Sequence, residues 1–188
     1  MEPLYQQIIR YQPIDEQEVC DQQIILQYLA DEGEKVLYRE QLQAHITASA
    51  WITNHRHDKV LMIYHNLYNS WAWTGGHADG NGDLLTVAMK EACEETGLTQ
   101  VKPLEPTIFS LEVLAVNHHY KKGKFVPAHV HLNVTYLLEA DEREGLKIAP
   151  DENSNVAWMT LTQAVSASSE PCMQLIYEKL NRKLQALK

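Results

Sequence analysis

Apolar and polar residues alternate along this chain with two periods, and the switches between them mark its elements. Residues 3–31 place Val19, Ile24, Ile25, Tyr28 and Leu29 at irregular helical spacing. Asp15 with Glu18 predicts a capping box, Pro13 divides the segment into a short and a longer helix, and Gly33 ends it. From residue 43 the period falls to two. Residues 43–53 predict a strand, 54–58 a turn, and the run KVLMIY at 59–64 a second strand. Trp71 and Trp73 predict a short strand entering a glycine-rich loop, and helical spacing returns over 83–96, closed by Gly97. Pro103 and Pro106 mark a loop. Strands follow at 107–116 and 128–138, separated by the basic turn KKGK at 121–124. A charged loop covers 139–149, a short strand 156–159, and helices 162–167 and 171–187, the last with Pro171 in its first turn. Strands, one helix, more strands and a C-terminal helix predict an α/β sandwich.

The chemistry concentrates at 75–98, GGHADGNGDLLTVAMKEACEETGL. Glu91, Glu94 and Glu95 stand at i, i+3 and i+4, which puts three carboxylates on one helical face. Leu85, Ala88, Met89, Ala92 and Cys93 are expected to form the opposite, buried stripe. Like charges so spaced repel; a hard divalent cation offsets that directly. A glutamate-rich face is often only solvated, but Gly75, Gly76, Gly80 and Gly82 precede this one and allow close approach of a ligand to backbone. The loop then feeds a helix N-terminus, which favours anions.

This stretch resembles the Nudix (MutT-like) box, G-x5-E-x7-R-E-U-x-E-E-x-G-U, where U is a bulky apolar residue. Gly76 matches its first glycine, Ala92 the first U, and Glu91, Glu94, Glu95, Gly97 and Leu98 the second half at the family's spacing. Two positions depart: Gly82 stands at the family's first Glu and Lys90 at its Arg, with Asp83 the expected replacement partner for Lys90. The resemblance covers roughly residues 43–170. It implies a Nudix-type α/β/α sandwich with a mixed sheet, in a domain of residues 41–188, with residues 1–40 as a helical extension packed on it. It implies Mg²⁺ or Mn²⁺ held by Glu91, Glu94 and Glu95, with the carbonyl of Gly76 as a further ligand. Many family members carry a late-loop Glu that binds metal or acts as general base, and Glu152 in the turn after Pro150 is the candidate.

Outside the box, His118, His119, His129 and His131 form a second cluster. His129 and His131 share a strand face with Asn133 and Thr135, while Val130, Leu132, Val134 and Tyr136 take the better core face. Such histidines suit either a transition metal or a cleft lining; with no Cys or acid at matching spacing, cleft lining is the expectation. His77, in the glycine loop, is expected to orient substrate. Lys121, Lys122 and Lys124 read as a solvated hairpin tip, and Tyr68, Trp71 and Trp73 as core or rim aromatics able to stack on a base.

Composition narrows the partner. The chain has 188 residues, 45% hydrophobic, with a net charge of −9, which argues against a nucleic-acid polymer but not against a small anion bridged by a cation. Cys20, Cys93 and Cys172 are few and scattered, the pattern of reduced thiols, with Cys93 expected in the core. The first residues lack the charge-then-apolar pattern of a secretory signal, and no run of 18 apolar residues exists. A cytoplasmic protein acting on a small-molecule nucleotide or diphosphate is expected, with no membrane partner and a homodimer left open. The resemblance implies hydrolysis of a diphosphate linkage in a nucleoside diphosphate joined to another moiety, ADP-ribose or a nucleotide sugar foremost. The alternatives are a Nudix-fold nucleotide-binding module that no longer cleaves and, last, an isomerase of isoprenyl diphosphates.

Overall fold

The computed structural model describes residues 3–121 and 123–187; Lys122 of the basic turn lies outside them. Five α-helices and ten strands occur in the order α1 (Leu4–Arg10), α2 (Glu16–Glu32), β1 (Ala44–Asn54), β2 (Lys59–His65), β3 (Ser70–Ala72), β4 (Thr74–His77), α3 (Leu84–Thr96), β5 (Lys102–Pro103), β6 (Ser110–Val116), β7 (His119–Lys121), β8 (Lys124–Val126), β9 (His129–Ala140), β10 (Asn153–Thr160), α4 (Leu161–Ala167) and α5 (Pro171–Gln185). The fold is α/β with a mixed eight-stranded sheet whose main path runs β10-β2-β1-β9-β5. Its chain divides into two compact units, Met1–Ser49 with Gly76–Val87 and Thr107–Tyr136, and Ala50–Gly75 with Ala88–Pro106 and Leu137–Lys188.

In the first unit β6 pairs antiparallel with β9, from Ser110↔Thr135 to Val116↔His129. Gln43 O accepts from Val130 N, and Thr47 and Ser49 both reach Asn133, so β1 and β9 advance together and are parallel. Helix α2 lies along β6: Gln17 donates to Leu111 O, and Asp21 accepts from Val113 N at 2.8 Å. Side chains thus satisfy backbone groups that an edge strand would expose. This alters the expected burial of α2. Ile25 is buried, but Val19 and Ile24 are exposed, and Glu18 is wholly buried because Ser110 Oγ donates to it at 2.7 Å. Asp15 caps α2 as expected, accepting from Glu18 N, whereas the Glu18 carboxylate reaches back to Ile14 N rather than to the cap residue. Gly33, at φ +58°, ends α2, and a 3₁₀ turn follows from Gly33 to Leu37.

In the second unit β10 pairs antiparallel with β2 along its whole length, and β3 pairs with β2 from Ile63↔Ala72 to His65↔Ser70. The core there is aromatic. Trp51 stacks on Tyr177 of α5 at 5.2 Å, and Trp73 meets the same ring edge-on at 5.6 Å. Strand β10 starts at Asn153, three residues before the apolar pattern announces it, because Asn153 is buried by its hydrogen bonds rather than by hydrophobicity. Among the described residues, no helix is long and apolar enough to cross a membrane.

Candidate active site

Helix α3 buries Leu84, Val87, Ala88 and Ala92, with Glu95 and Thr96 on the same side. The expected stripe was displaced by about one residue: Leu85, Met89 and Cys93 are only half-buried, so Cys93 is not core. The three glutamates are correspondingly graded. Glu94 is turned to solvent, its side chain 57% exposed, and accepts from Lys90 Nζ at 2.8 Å. Glu91 is 18% exposed, with Lys90 Nζ at 3.5 Å. Glu95 is 2% exposed. Lys90 therefore finds its partners one turn along its own helix. Asp83, expected to pair with it, instead caps α3, accepting from Thr86 N at 3.3 Å and from Thr86 Oγ1 at 2.7 Å. Gly82 is exposed, and a Cβ there would meet only Leu37 Cδ1, at 4.0 Å, so crowding does not account for glycine at that position.

Glu95 is fixed from both ends. Its Oε2 accepts from Gly75 N at 3.0 Å, and its backbone carbonyl accepts from Asn153 Nδ2 at 2.9 Å. Asn153 begins β10 directly after Glu152, and Asn66 N donates to Glu152 O at 2.9 Å, so the late turn is held against the end of α3. Gly97, at φ +74°, completes this junction: a Cβ there would fall 2.7 Å from Lys147 Cβ, and Lys147 N donates to Thr96 O at 2.7 Å. The result brings the exposed Glu152 carboxylate near enough to those of Glu95 and Glu91 for the three to repel one another.

The electrostatics follow. Burial, opposed by the Gly75 N–H and reinforced by the Glu152 and Glu91 carboxylates, pushes Glu95 up to about 9. Burial also raises Glu91, with Glu94 and Glu152 adding to it and Lys90 opposing. Three carboxylates converging in a partly dry site either keep a proton among them or ionise together around a cation. Their oxygen-only donor set suits Mg²⁺ or Mn²⁺. Asn153 was missed by sequence reasoning; its only signal was a polar residue beside the candidate Glu152. Gly76 follows Gly75 in β4.

The predicted histidines lie in the first unit. His77 ends β4, and His129 and His131 begin β9. They gather with His45 of β1, which the sequence reading passed over although His45, Thr47 and Ser49 are polar at alternate positions. The strand face of His129, His131, Asn133 and Thr135 is not a solvent face. Asn133 and Thr135 are buried, Thr47 and Ser49 donate to Asn133 Oδ1 at 2.9 and 2.8 Å, and Asn133 Nδ2 and Thr135 Oγ1 donate to the buried Glu112 at 3.0 and 2.8 Å. Burial holds His77 down to about 3, with Arg39 and His45 adding to it and Asp79 opposing, and holds His131 to about 2, with the neighbouring imidazoles adding to it. His118 stands apart, exposed and tilted against Phe125 at 5.9 Å. Trp73 is core, Trp71 is half-buried and Tyr68 exposed. Lys121 and Lys124 flank the tip of the β7–β8 hairpin and are exposed.

The family model for the NUDIX domain matches residues 43–180. No curated protein matches the chain significantly. Among solved structures, it is similar to a C. elegans Ap4A hydrolase in a binary complex, with 21% identity, a TM-score of 0.55, and coverage of 76% of this chain and 96% of that one. It is similar to a NUDIX-family hydrolase from Clostridium perfringens, with 19% identity, a TM-score of 0.51 and coverage of 77% and 98%. An E. coli dihydroneopterin triphosphate pyrophosphohydrolase aligns at 13% identity and a TM-score of 0.53, over 71% of this chain and 92% of that one. At these identities the likeness is one of fold.

Proposed function

The chain belongs to the Nudix family of pyrophosphohydrolases, and we propose that it uses Mg²⁺ or Mn²⁺ to cleave a diphosphate linkage in a nucleoside diphosphate joined to another moiety. ADP-ribose and nucleotide sugars are the foremost substrates. The observation that carries this reading is the buried carboxylate of Glu95, held by the Gly75 amide and raised further by the neighbouring carboxylates of Glu152 and Glu91. A purely structural helix face has no use for such a convergence, which is stable at neutral pH only with a proton or a cation in its midst.

Glu91 and Glu95 would be the principal metal ligands, Glu94 the third, and the carbonyl of Gly76 a further one. The divalent ion, when bound, neutralises charge on the diphosphate and aligns the attacking water. To hold the cation Glu95 would have to give up its proton to solvent. The Gly75 N–H, already donated to Glu95, keeps that carboxylate oriented once it is charged. Glu152, on an exposed turn but anchored by its backbone, takes the water's proton as general base, a role worth about 10²–10⁴-fold. His77, His129 and His131 offer polar groups to the substrate. Residues 41–188 form the catalytic domain, with 1–40 as its helical extension.

The test is a chromatographic assay of ADP-ribose, nucleotide sugars, dinucleoside polyphosphates and nucleoside triphosphates, with Mg²⁺ and with Mn²⁺. Metal-dependent turnover of one class supports the reading and names the substrate. Nucleotide binding without turnover of any class supports a binding module instead.

A further inference from the structure

Four imidazoles of the first unit, those of His45, His77, His129 and His131, form a cluster outside the carboxylate site. His45, His77 and His131 each offer a ring nitrogen, and these atoms all lie within 4.8 Å of one another. Their ring centroids are 5.0 Å apart for His45–His77, 5.1 Å for His45–His131 and 5.1 Å for His77–His131. Three different strands supply them: β1, β4 and β9.

Hydrogen bonding fixes which atoms are free. His45 Nδ1 lies 3.1 Å from Gln41 O, and a carbonyl can only accept, so Nδ1 carries the hydrogen. The Nε2 of that neutral ring is then a bare lone pair. It is buried, on a side chain only 4% exposed, and has no hydrogen-bond partner among the described residues. A ring oriented by an N–H to a backbone carbonyl, with its other nitrogen bare, is the arrangement of a metal-ligating histidine. His129 is oriented in the same way, Nδ1 donating to Pro127 O at 2.8 Å, and its Nε2 lies 3.2 Å from His131 Nε2. Burial keeps His45, His77 and His131 in the neutral form that binds metal.

We propose that His45, His77 and His131 form a binding site for a divalent transition-metal ion, Zn²⁺ foremost, separate in chemistry from the carboxylate site. Imidazole nitrogens suit Zn²⁺ and its neighbours, whereas Mg²⁺ takes oxygen donors. Zinc–imidazole bonds of about 2.0–2.1 Å require the ligand nitrogens to draw somewhat closer than they stand. Three protein ligands leave a fourth position for water or a substrate oxygen, the pattern of a reactive rather than a purely structural zinc site. His129 serves as hydrogen-bonding neighbour to His131. The site does not depend on the hydrolytic reading.

The experiment uses the full chain, stripped with a chelator and titrated with Zn²⁺ by calorimetry in a large excess of Mg²⁺. One Zn²⁺ per chain is expected in the wild type and in the Glu91→Gln/Glu95→Gln double variant. Binding about 100-fold weaker or worse is expected in His131→Asn and in His77→Asn. Far-UV circular dichroism checks that these variants fold. X-ray absorption of the zinc-loaded wild type supplies a readout that needs no variant, and three imidazole ligands are expected. An absence of stoichiometric Zn²⁺ binding in the wild type overturns the proposal. So does an all-oxygen shell, or binding lost in the glutamate double variant but kept in both histidine variants.

Discussion

The amide of Gly75 donates to Oε2 of Glu95 at 3.0 Å, across 20 residues of sequence. That contact makes the glycine loop and the far end of α3 one object, and it explains why Glu95 alone of the three helix glutamates is buried. A lone buried carboxylate would be costly, and a charge-assisted N–H bond offsets part of that cost.

Glu152→Gln is expected to lower kcat by about 10²–10⁴-fold with little change in KM, because it removes the proton acceptor and keeps the side chain's shape. Steady-state kinetics on the best substrate checks this. An equal loss in Glu91→Gln, accompanied by a raised metal requirement, would separate ligand from base.

Asn153→Ala removes the donor to Glu95 O and leaves that buried carbonyl unpaired. A loss of about 1–3 kcal/mol in urea unfolding is expected. Turnover should fall further than stability alone explains, since Glu152 precedes Asn153 directly. Activity measured where the variant is fully folded isolates that second effect.

Lys90→Ala should change stability by no more than about 0.5 kcal/mol, because the Lys90–Glu94 pair is an exposed i,i+4 contact. Its effect on kcat should be similarly small. A large loss of activity would contradict this and give Lys90 a part in the site.

Glu95 also sets a pH dependence in the metal-free protein. Its folded value is raised to about 9, above the ordinary carboxylate value, so between the two the folded state binds the extra proton. Stability conferred by the protonated form is full below the unfolded value and is lost as pH rises toward 9. Chelator-treated wild type should therefore lose more stability between pH 5 and pH 9 than Glu95→Gln does, as read by urea unfolding. Added Mg²⁺ should recover the difference at the upper end.

Much of this was legible in the sequence because periodicity and turn residues act locally. The strand, loop and helix of the box stood at their observed places, and Gly97 closed α3 as its position implied. Glu152 could be singled out only through the family resemblance, because no local pattern links it to Glu91 and Glu95. What stayed hidden depends on tertiary partners. The buried face of α3 turned on Val87 and Glu95 rather than on Met89 and Cys93, because the Gly75 amide draws Glu95 inward. Asp83 was free to cap its own helix because Lys90 had Glu94 within one turn. His45 escaped notice because the alternation of His45, Thr47 and Ser49 marks a polar strand face but not that β4 and β9 bring three more imidazoles to it.

The most direct test of the central claim is metal-dependent hydrolysis by the wild type and Glu95→Gln, side by side, on ADP-ribose and a nucleotide sugar. Turnover that requires Mg²⁺ or Mn²⁺ in the wild type, and that falls by at least about 10²-fold in a folded Glu95→Gln protein, is the predicted result. Undiminished hydrolysis by Glu95→Gln, or wild-type hydrolysis unaffected by a chelator, would contradict the placement of the active site at Glu91, Glu95 and Glu152.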